Sequence, residues 1–499
     1  MRGIGQWVVK RAQLSHGKVA LVFNQHKLTY DQFNSRINRL ANGLVQTGVQ
    51  KGDRIAVFLM NGNEILEAMF ACAKIGAIFV PINFRLSLEE VEYILNDSGA
   101  TVFFYQSEFV LLASEIRKRV PISCWISVGS PVLEDDIRYE DFLLKYADQE
   151  PEFDVPGEDV HMILYTSGTT GRPKGAMLTH ANTFWNITQI LLAQPILEED
   201  ITLTVAPLFH SGALTILTLT LLYRGGTVII KDRFDPVQVL QTIQQEKITC
   251  MFMVPSMWLA VTQVPDFYHY NLRSLRFGIS AGSPCPLTII KILKRRRVPL
   301  IQAFGLSEVA PVAILGIQDC MRKIGSVGKG AFYVDIRIIN KNGREALVKE
   351  VGELVVHAPN VMSGYWKKPQ ATREVLQNGW FFTGDCVWRD EEGYLYVAGR
   401  KKDVIITGGE NVYPVEVEQV LDRHPNIAEA AVVGVPNEKW GEIVKAVIVL
   451  KDSSQELSIN RIKTFCEGKL ARFKVPKILE FVSALPRNAA GKVLKDFLQ

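Results

Sequence analysis

The chain has 499 residues, too many for one compact core, so two or more domains are expected. Hydrophobic residues make up 47% and charged residues 22%, the balance of an ordinary globular protein, which excludes a disordered, collagen-like or disulfide-scaffold chain. The net charge of +4 gives no ground for nucleic-acid binding, and seven cysteines without a Cys-x-x-Cys pair fit reduced thiols in a cytosolic enzyme.

In chain order, MRGIGQWVVKRAQ has no apolar stretch before Lys10 and Arg11, so it does not read as a secretory signal. Arg54 to Met60 follows the turn residues Lys51-Gly52-Asp53 and reads as a buried parallel strand. Glu64 to Lys74 reads as a helix and Ala77 to Pro81 as a second strand. Ser87 and Glu90 form a capping box ahead of a helix that places Leu88, Val91, Ile94 and Leu95 on one face. Thr101 to Tyr105 returns to a strand, and the β-α-β-α-β order predicts a parallel or mixed sheet with helices on its faces. The polar stretch Asp148 to Asp159 reads as a link between subdomains. Ile201 to Tyr223 runs 23 residues without Asp, Glu, Lys or Arg, long enough to span a membrane. Its five threonines, Pro207, His210 and Ser211, with the alternation in ITLTVAP, favour a buried strand, turn and helix in a soluble chain. After Gly399-Arg400-Lys401-Lys402-Asp403 a smaller unit is expected. Its strands are Ala430 to Val435, Val444 to Leu450 and Ile478 to Val482, and its helix is capped by Ser458 with Ile459, Ile462, Phe465, Cys466 and Leu470 on one face.

YTSGTTGRPKG, residues 165–175, carries the most chemistry. Three glycines let backbone N–H groups approach an anion, four Ser/Thr hydroxyls add donors, and Lys174 adds a positive charge. A strand, Met162-Ile163-Leu164, leads into it, as in a phosphate cradle; no Gly-Lys-Ser/Thr follows at Walker spacing. The alternative is a flexible Gly/Thr surface turn.

This loop resembles the signature of the adenylate-forming enzymes, which include acyl-CoA synthetases, peptide-synthetase adenylation domains and luciferases. The resemblance extends, in the family's order, to PLFH (207–210), QAFGLSE (302–308), GWFFTGD (379–385), GYLYVAGRKKDVIITGGENVYPVEVE (393–418) and PRNAAGK (486–492). With VPIN (80–83) and ARFKVP (471–476), the chain looks most similar to bacterial medium- to long-chain fatty acyl-CoA ligases. The resemblance implies an α/β protein. Its large multi-subdomain N-terminal domain, residues 1–400, would bind ATP and acid, and a small mobile α+β domain, residues 401–499, would turn about a hinge near Lys402.

The resemblance also implies roles. Thr166, Ser167, Gly168, Thr169, Thr170 and Lys174 would hold the β- and γ-phosphates, and Glu308 with Thr166 would bind Mg²⁺. Phe304 would stack on adenine, within a nucleotide site that also takes in Ala281, Gly282, Ser283, Ala303, Gly305 and Ser307. Ser307 stands where the family usually has threonine. Asp385 would accept the ribose hydroxyls, with Arg400 nearby, and Lys492 would bridge the acid carboxylate and the α-phosphate. For the thiol step the domain turns at Lys402 and presents Gly408, Gly409 and Glu410. His210 would gate the acyl pocket from the pantetheine tunnel, and Arg472 and Lys474 could meet the CoA phosphates. Taken singly, each of these charged residues reads as ordinary surface, and a lone apolar-context histidine as a buried one.

The segments that the resemblance places around the acyl pocket, Ser211 to Thr220 and Val309 to Gly316 with Ala281 near its floor, are apolar and uncharged, which favours a hydrocarbon tail and disfavours a second carboxylate or an amino group. The resemblance implies ATP, Mg²⁺ and coenzyme A as partners, and the apolar segments favour a fatty acid as the substrate; an aryl acid, or a carrier protein in place of CoA, stays open. So do a homodimer and weak docking of Lys294-Arg295-Arg296-Arg297 on anionic lipid. Gly278-Ile279-Ser280-Ala281-Gly282 also fits the nucleophile elbow of a serine esterase, though without an oxyanion loop.

Overall fold

The structure, a computed structural model, describes residues 1–166, 172–452, 457–487 and 493–499. The predicted β-α-β-α-β order is present. The Arg54–Phe58 strand lies between Ile78–Pro81 and Ala100–Gln106, parallel to both. Its residues beyond Arg54 are buried because helices cover both faces of the sheet. Asn63–Ile75 is one of those helices, buried almost throughout. Leu88–Ser98 is another; Ser87 Oγ accepts from the Glu90 N–H, Glu90 accepts from the Ser87 N–H, and Gly99 closes the helix at φ +67°.

The stretch at 148–159 does not separate subdomains. Val160–Thr166 and Lys174–Thr179, beyond it, join the same sheet as Arg54–Phe58, through Phe79 opposite Met162. Its polarity has a different cause. Glu150 meets the buried Lys74 ammonium at 2.6 Å, Asp159 meets Lys51 at 2.7 Å, and the Gly157 N–H donates to Met1. A loop that neutralises Lys74 of the Asn63–Ile75 helix and Lys51 of the turn before Arg54–Phe58 has the composition of a linker without being one.

A second sheet of nine strands is built around Ile201–Thr204, Cys250–Met253, Phe277–Ser280 and Leu300–Leu306, all parallel, and continues through the antiparallel hairpin partner Val309–Ile314 to the short edge strand Lys329–Gly330. The 201–223 segment is the expected strand, turn and helix, with a π-helical turn at Leu214–Thr218. There Thr218 donates to Ala213 and Thr220 to Thr215, each five residues back, so the threonines satisfy the widened turn. Among the described residues no helix is long and apolar enough to cross a membrane.

A third, five-stranded sheet includes Gly352–His357, Trp380–Arg389 and Leu395–Arg400. The smaller C-terminal domain has its own sheet, in which Ile427–Asn437 and Gly441–Leu450 pair antiparallel and Ile478–Phe481 adds in parallel. Ser458 caps its helix, which stops at Cys466; Gly468 turns at φ +72°, and Leu470 reaches the same core from beyond the turn.

Candidate active site

One large cavity opens at the C-terminal ends of the parallel strands, the usual place for a ligand in an open α/β sheet. Each strand delivers its following residues to the wall: Pro207 and His210 after Ile201–Thr204, Val254 after Cys250–Met253, and Ala281, Gly282 and Ser283 after Phe277–Ser280. The arms of the glycine-rich loop meet at Thr166 opposite Lys174, and both line the cavity. Leu306 pairs with Val309 in a tight hairpin whose tip, Ser307-Glu308, points the carboxylate into the same space.

The polar groups at this end are held individually. Glu308 Oε1 accepts from the Tyr365 hydroxyl at 2.8 Å, and its backbone carbonyl accepts from the Met362 N–H at 2.7 Å. Among the described residues no cation pairs with Glu308 and nothing hydrogen-bonds its Oε2. The Lys174 ammonium lies 5.4 Å above the Tyr365 ring, and the Arg172 guanidinium 5.3 Å above that of Tyr93. Tyr365 stays protonated: burial first, then the Glu308 carboxylate, raise its pKa. Arg400 lines the cavity and pairs through Nε with Asp385, its cross-strand neighbour, at 2.8 Å.

Toward the acyl end, His210 is packed against Phe209 with ring centroids 4.4 Å apart. Burial, and secondarily Arg85, lower its pKa to about 4, so the ring is neutral at pH 7 and its Nε2 has no partner among the described residues. Asn61 fixes the loop that carries it. The Asn61 amide donates to Ala206 and Lys231 and accepts from the Leu208 N–H at 2.8 Å. Beyond His210 the wall is Gly212, Ile216, Phe252, Val254, Ala303 and Pro311, without a charged side chain among them.

The structure brings His210, Thr166, Lys174, Glu308, Ala281, Gly282, Ser283, Ala303, Phe304, Gly305, Ser307, Arg400 and Lys402 to the wall of this one cavity. Asp385 is buried behind it, in its pair with Arg400. Gly408, Gly409 and Glu410 stand apart. They turn the Ile405–Thr407 and Glu410–Val412 hairpin, where the Gly408 N–H donates to the Trp440 carbonyl. Ser167, Gly168, Thr169, Thr170 and Lys492 lie outside the described residues; Arg487 and Val493, on either side of 488–492, both line the cavity. Tyr365 and Asn61 were not singled out by sequence, because neither stands in a patterned run and their partners are 57 and 145 residues away.

Two other sequence features resolve differently. Ser280 Oγ is buried without a hydrogen-bond partner among the described residues, so no histidine activates it as an esterase nucleophile would require. In the basic run, Arg296 donates to the Phe267 and Tyr270 carbonyls, while Lys294, Arg295 and Arg297 remain exposed around the C-terminus of the Leu287–Arg295 helix, where cations are favoured.

Comparison with known proteins places the chain in a family. The profile of AMP-binding enzymes matches residues 8–366, and that of the AMP-binding enzyme C-terminal domain matches residues 416–492. The chain belongs to the AMP-binding, adenylate-forming enzymes. Within that family it is an AMP-forming acid–thiol ligase. It is 40% identical to a feruloyl-CoA synthase of Amycolatopsis sp, covering 99% of this chain and 98% of that one. Identity is 36% to the long-chain-fatty-acid–CoA ligase FadD13 of Mycobacterium tuberculosis, over 100% and 98%. The structure of o-succinylbenzoate CoA synthetase (MenE) from Bacillus subtilis, in complex with ATP and magnesium ion, matches with a TM-score of 0.87 and 32% identity over 98% of each chain.

Proposed function

We propose that this enzyme converts an aryl carboxylic acid with no second charged group to its CoA thioester by way of an acyl-adenylate. The observation that carries the choice of acid is the inner wall of the cavity. Beyond His210 the residues Gly212, Ile216, Phe252, Val254, Ala303 and Pro311 are all uncharged, and the Phe252 ring edge closes on Gly212, where a β-carbon would stand 3.1 Å from the ring. A wall of that kind, with an aromatic ring packed against a residue that has no side chain, suits a compact aromatic acid and is hostile to a second charge. The 40% identity to a feruloyl-CoA synthase supports the same reading.

In the first step a carboxylate oxygen attacks the α-phosphorus of ATP, and the bond to pyrophosphate breaks. Lys174 and the 166–170 hydroxyls and amides take the β- and γ-phosphates, so the leaving group departs into a positive, donor-rich cradle. Phe304, Ala281, Gly282, Ser283, Ala303, Gly305 and Ser307 hold the nucleoside; Asp385, with Arg400, holds the ribose side. Lys492 neutralises the two anions as they meet. Mg²⁺ fits Glu308, a cavity carboxylate with one oxygen unengaged and no competing cation among the described residues, together with the Thr166 hydroxyl. When bound, it supplies neutralisation of phosphate charge.

In the second step the CoA sulfur attacks the acyl carbonyl and AMP leaves. His210, neutral and unpartnered at Nε2, borders the path between acyl slot and thiol. The 408–410 turn lies outside the cavity, so this step requires the C-terminal domain, 401–499, to turn about Lys402 and bring Gly408, Gly409 and Glu410 to the site. Glycines there leave room for a narrow pantetheine arm.

A fatty acid is the second reading. It is favoured by the continuation of the cavity past Val254 along Met257, Leu259 and Ile292, and by the 36% identity to a long-chain ligase. Pyrophosphate release with ATP and Mg²⁺, across hydroxycinnamic, benzoic and medium- to long-chain saturated acids, with and without CoA, tests the proposal. Strong CoA-dependent turnover on the aryl acids is expected. Turnover confined to saturated acids would replace the aryl reading with the aliphatic one, and release indifferent to CoA would point to a carrier-protein thiol.

A further inference from the structure

The cavity lies between two sheets, and the groups that must act on one triphosphate are divided between them. Lys174 and the glycine-rich loop belong to the eight-stranded sheet, Glu308 to a hairpin of the nine-stranded one. The segment 362–366 stitches the two together by alternating contacts. Met362 N–H donates to the Glu308 carbonyl at 2.7 Å, and Ser363 N–H to Met177 at 3.0 Å. Trp366 N–H donates to Gly175 at 2.8 Å. Gly364 and Tyr365 pair as a short strand with Met177 and Ala176 on the outgoing arm of the loop. Gly364 sits at φ +137°, where a β-carbon would stand 2.8 Å from Thr372 Cγ2, and the Tyr365 N–H donates to Thr372 Oγ1 at 2.9 Å, so the local backbone is fixed.

We propose that Tyr365 is the positioning residue that sets the metal-binding carboxylate and the phosphate-binding lysine relative to one another. Its side chain reaches both: the hydroxyl donates to Glu308 Oε1 at 2.8 Å, and the ring face lies 5.4 Å beneath Lys174 Nζ. The hydroxyl occupies one carboxylate oxygen and fixes the carboxylate plane, so that Oε2 is presented to a cation. The ring stabilises the ammonium without neutralising it, as a carboxylate partner would, and leaves all of its charge for the nucleotide. A phenol suits both tasks because one end of it is a hydrogen-bond donor and its face is an uncharged platform for a cation. This inference rests on the reading of Glu308 and Lys174 as the contacts to Mg²⁺ and ATP.

The two halves of the side chain can be tested apart by calorimetric titration of ATP into the full-length enzyme without acid, over a range of Mg²⁺ concentrations. Tyr365→Phe keeps the ring and removes the hydroxyl. It is expected to raise the Mg²⁺ concentration for half-maximal enhancement of ATP binding about tenfold, with Mg²⁺-free ATP affinity and thermal unfolding unchanged. Tyr365→Leu removes the ring as well and is expected to weaken Mg²⁺-free ATP binding too. Unchanged Mg²⁺ dependence in Tyr365→Phe overturns the proposal, as does an equal loss with and without Mg²⁺. Glu308→Gln separates this from the underlying reading. If it abolishes the Mg²⁺ enhancement while Tyr365→Phe leaves it intact, the positioning role alone fails. If Glu308→Gln also leaves it intact, the metal assignment fails first.

Discussion

Glu308 and Phe304 stand in one seven-residue run, QAFGLSE, because a strand and the hairpin after it deliver both to one wall. Proximity in sequence becomes proximity in the site, and such residues are legible without a structure. Tyr365 is not, since its importance arises from two sheets meeting, which no local pattern records. Gly212 is a further case. It reads only as a small residue in an apolar stretch, yet the Phe252 ring fills the place of its side chain. Gly212→Val should therefore push into the ring and narrow the slot. We expect KM for an aryl acid to rise about tenfold or more, equivalent to about 1.4 kcal/mol of lost binding, while KM for ATP stays within about twofold. Steady-state kinetics with each substrate varied would show it; an equal rise for ATP would mean general distortion.

Secondary elements are legible where hydrophobic period and caps agree, as in Leu88–Ser98 and at the start of the helix after Ser458, which ends at Cys466, short of the expected Leu470. The loop at 148–159 misled because composition cannot distinguish charges facing water from charges that neutralise Lys51 and Lys74. Electrostatic anchoring recurs on either side of residues 488–492. Arg487 meets Glu429 at 2.8 Å, and Lys495 meets Glu418 at 2.6 Å, which itself accepts from the Val432 N–H. Lys495 and Glu418 are both largely shielded, so their pair is expected to matter more than an exposed one. Lys495→Gln should lower adenylation about tenfold, as a misplaced reacting group does, while thioester formation from supplied acyl-adenylate changes little. Rapid-quench measurement of each half-reaction separates the two, and parallel losses would show that the pair serves only the fold of the domain.

Across the whole molecule, stability at low pH depends on a buried histidine pair. His161 and His180 stack with ring centroids 4.8 Å apart, and His161 Nδ1 and His180 Nε2 have no partner among the described residues. Burial holds His180 at about 4; burial, and then His180 itself, hold His161 well below its ordinary value. The unfolded chain, with ordinary histidines near 6.5, binds more protons than the folded one, so this contribution is complete above about pH 6.5 and is lost as the pH falls toward about 4. The His180 ring alone should cost about 2 kcal/mol by about pH 5, and His161 adds to the loss in the same direction. Asp422, raised to about 7 by burial and by Glu418 and Glu429, has the opposite sign but is common to any variant. Urea unfolding at neutral and acid pH should thus show a smaller acid loss for His161→Gln/His180→Gln than for the parent, and an equal loss would remove the pair from the account.

The arrangement of Lys174, Glu308 and an uncharged acyl slot around one cavity implies that the acid carboxylate attacks phosphorus, and this leaves an isotopic record. An acid labelled with ¹⁸O in both carboxylate oxygens should, after one turnover with ATP and CoA, deliver one ¹⁸O atom to the phosphate of AMP and keep one in the thioester carbonyl. Mass spectrometry of the nucleotide reads this directly. Label in AMP is the predicted result; unlabelled AMP, or label in inorganic phosphate accompanied by ADP, would contradict the adenylate mechanism.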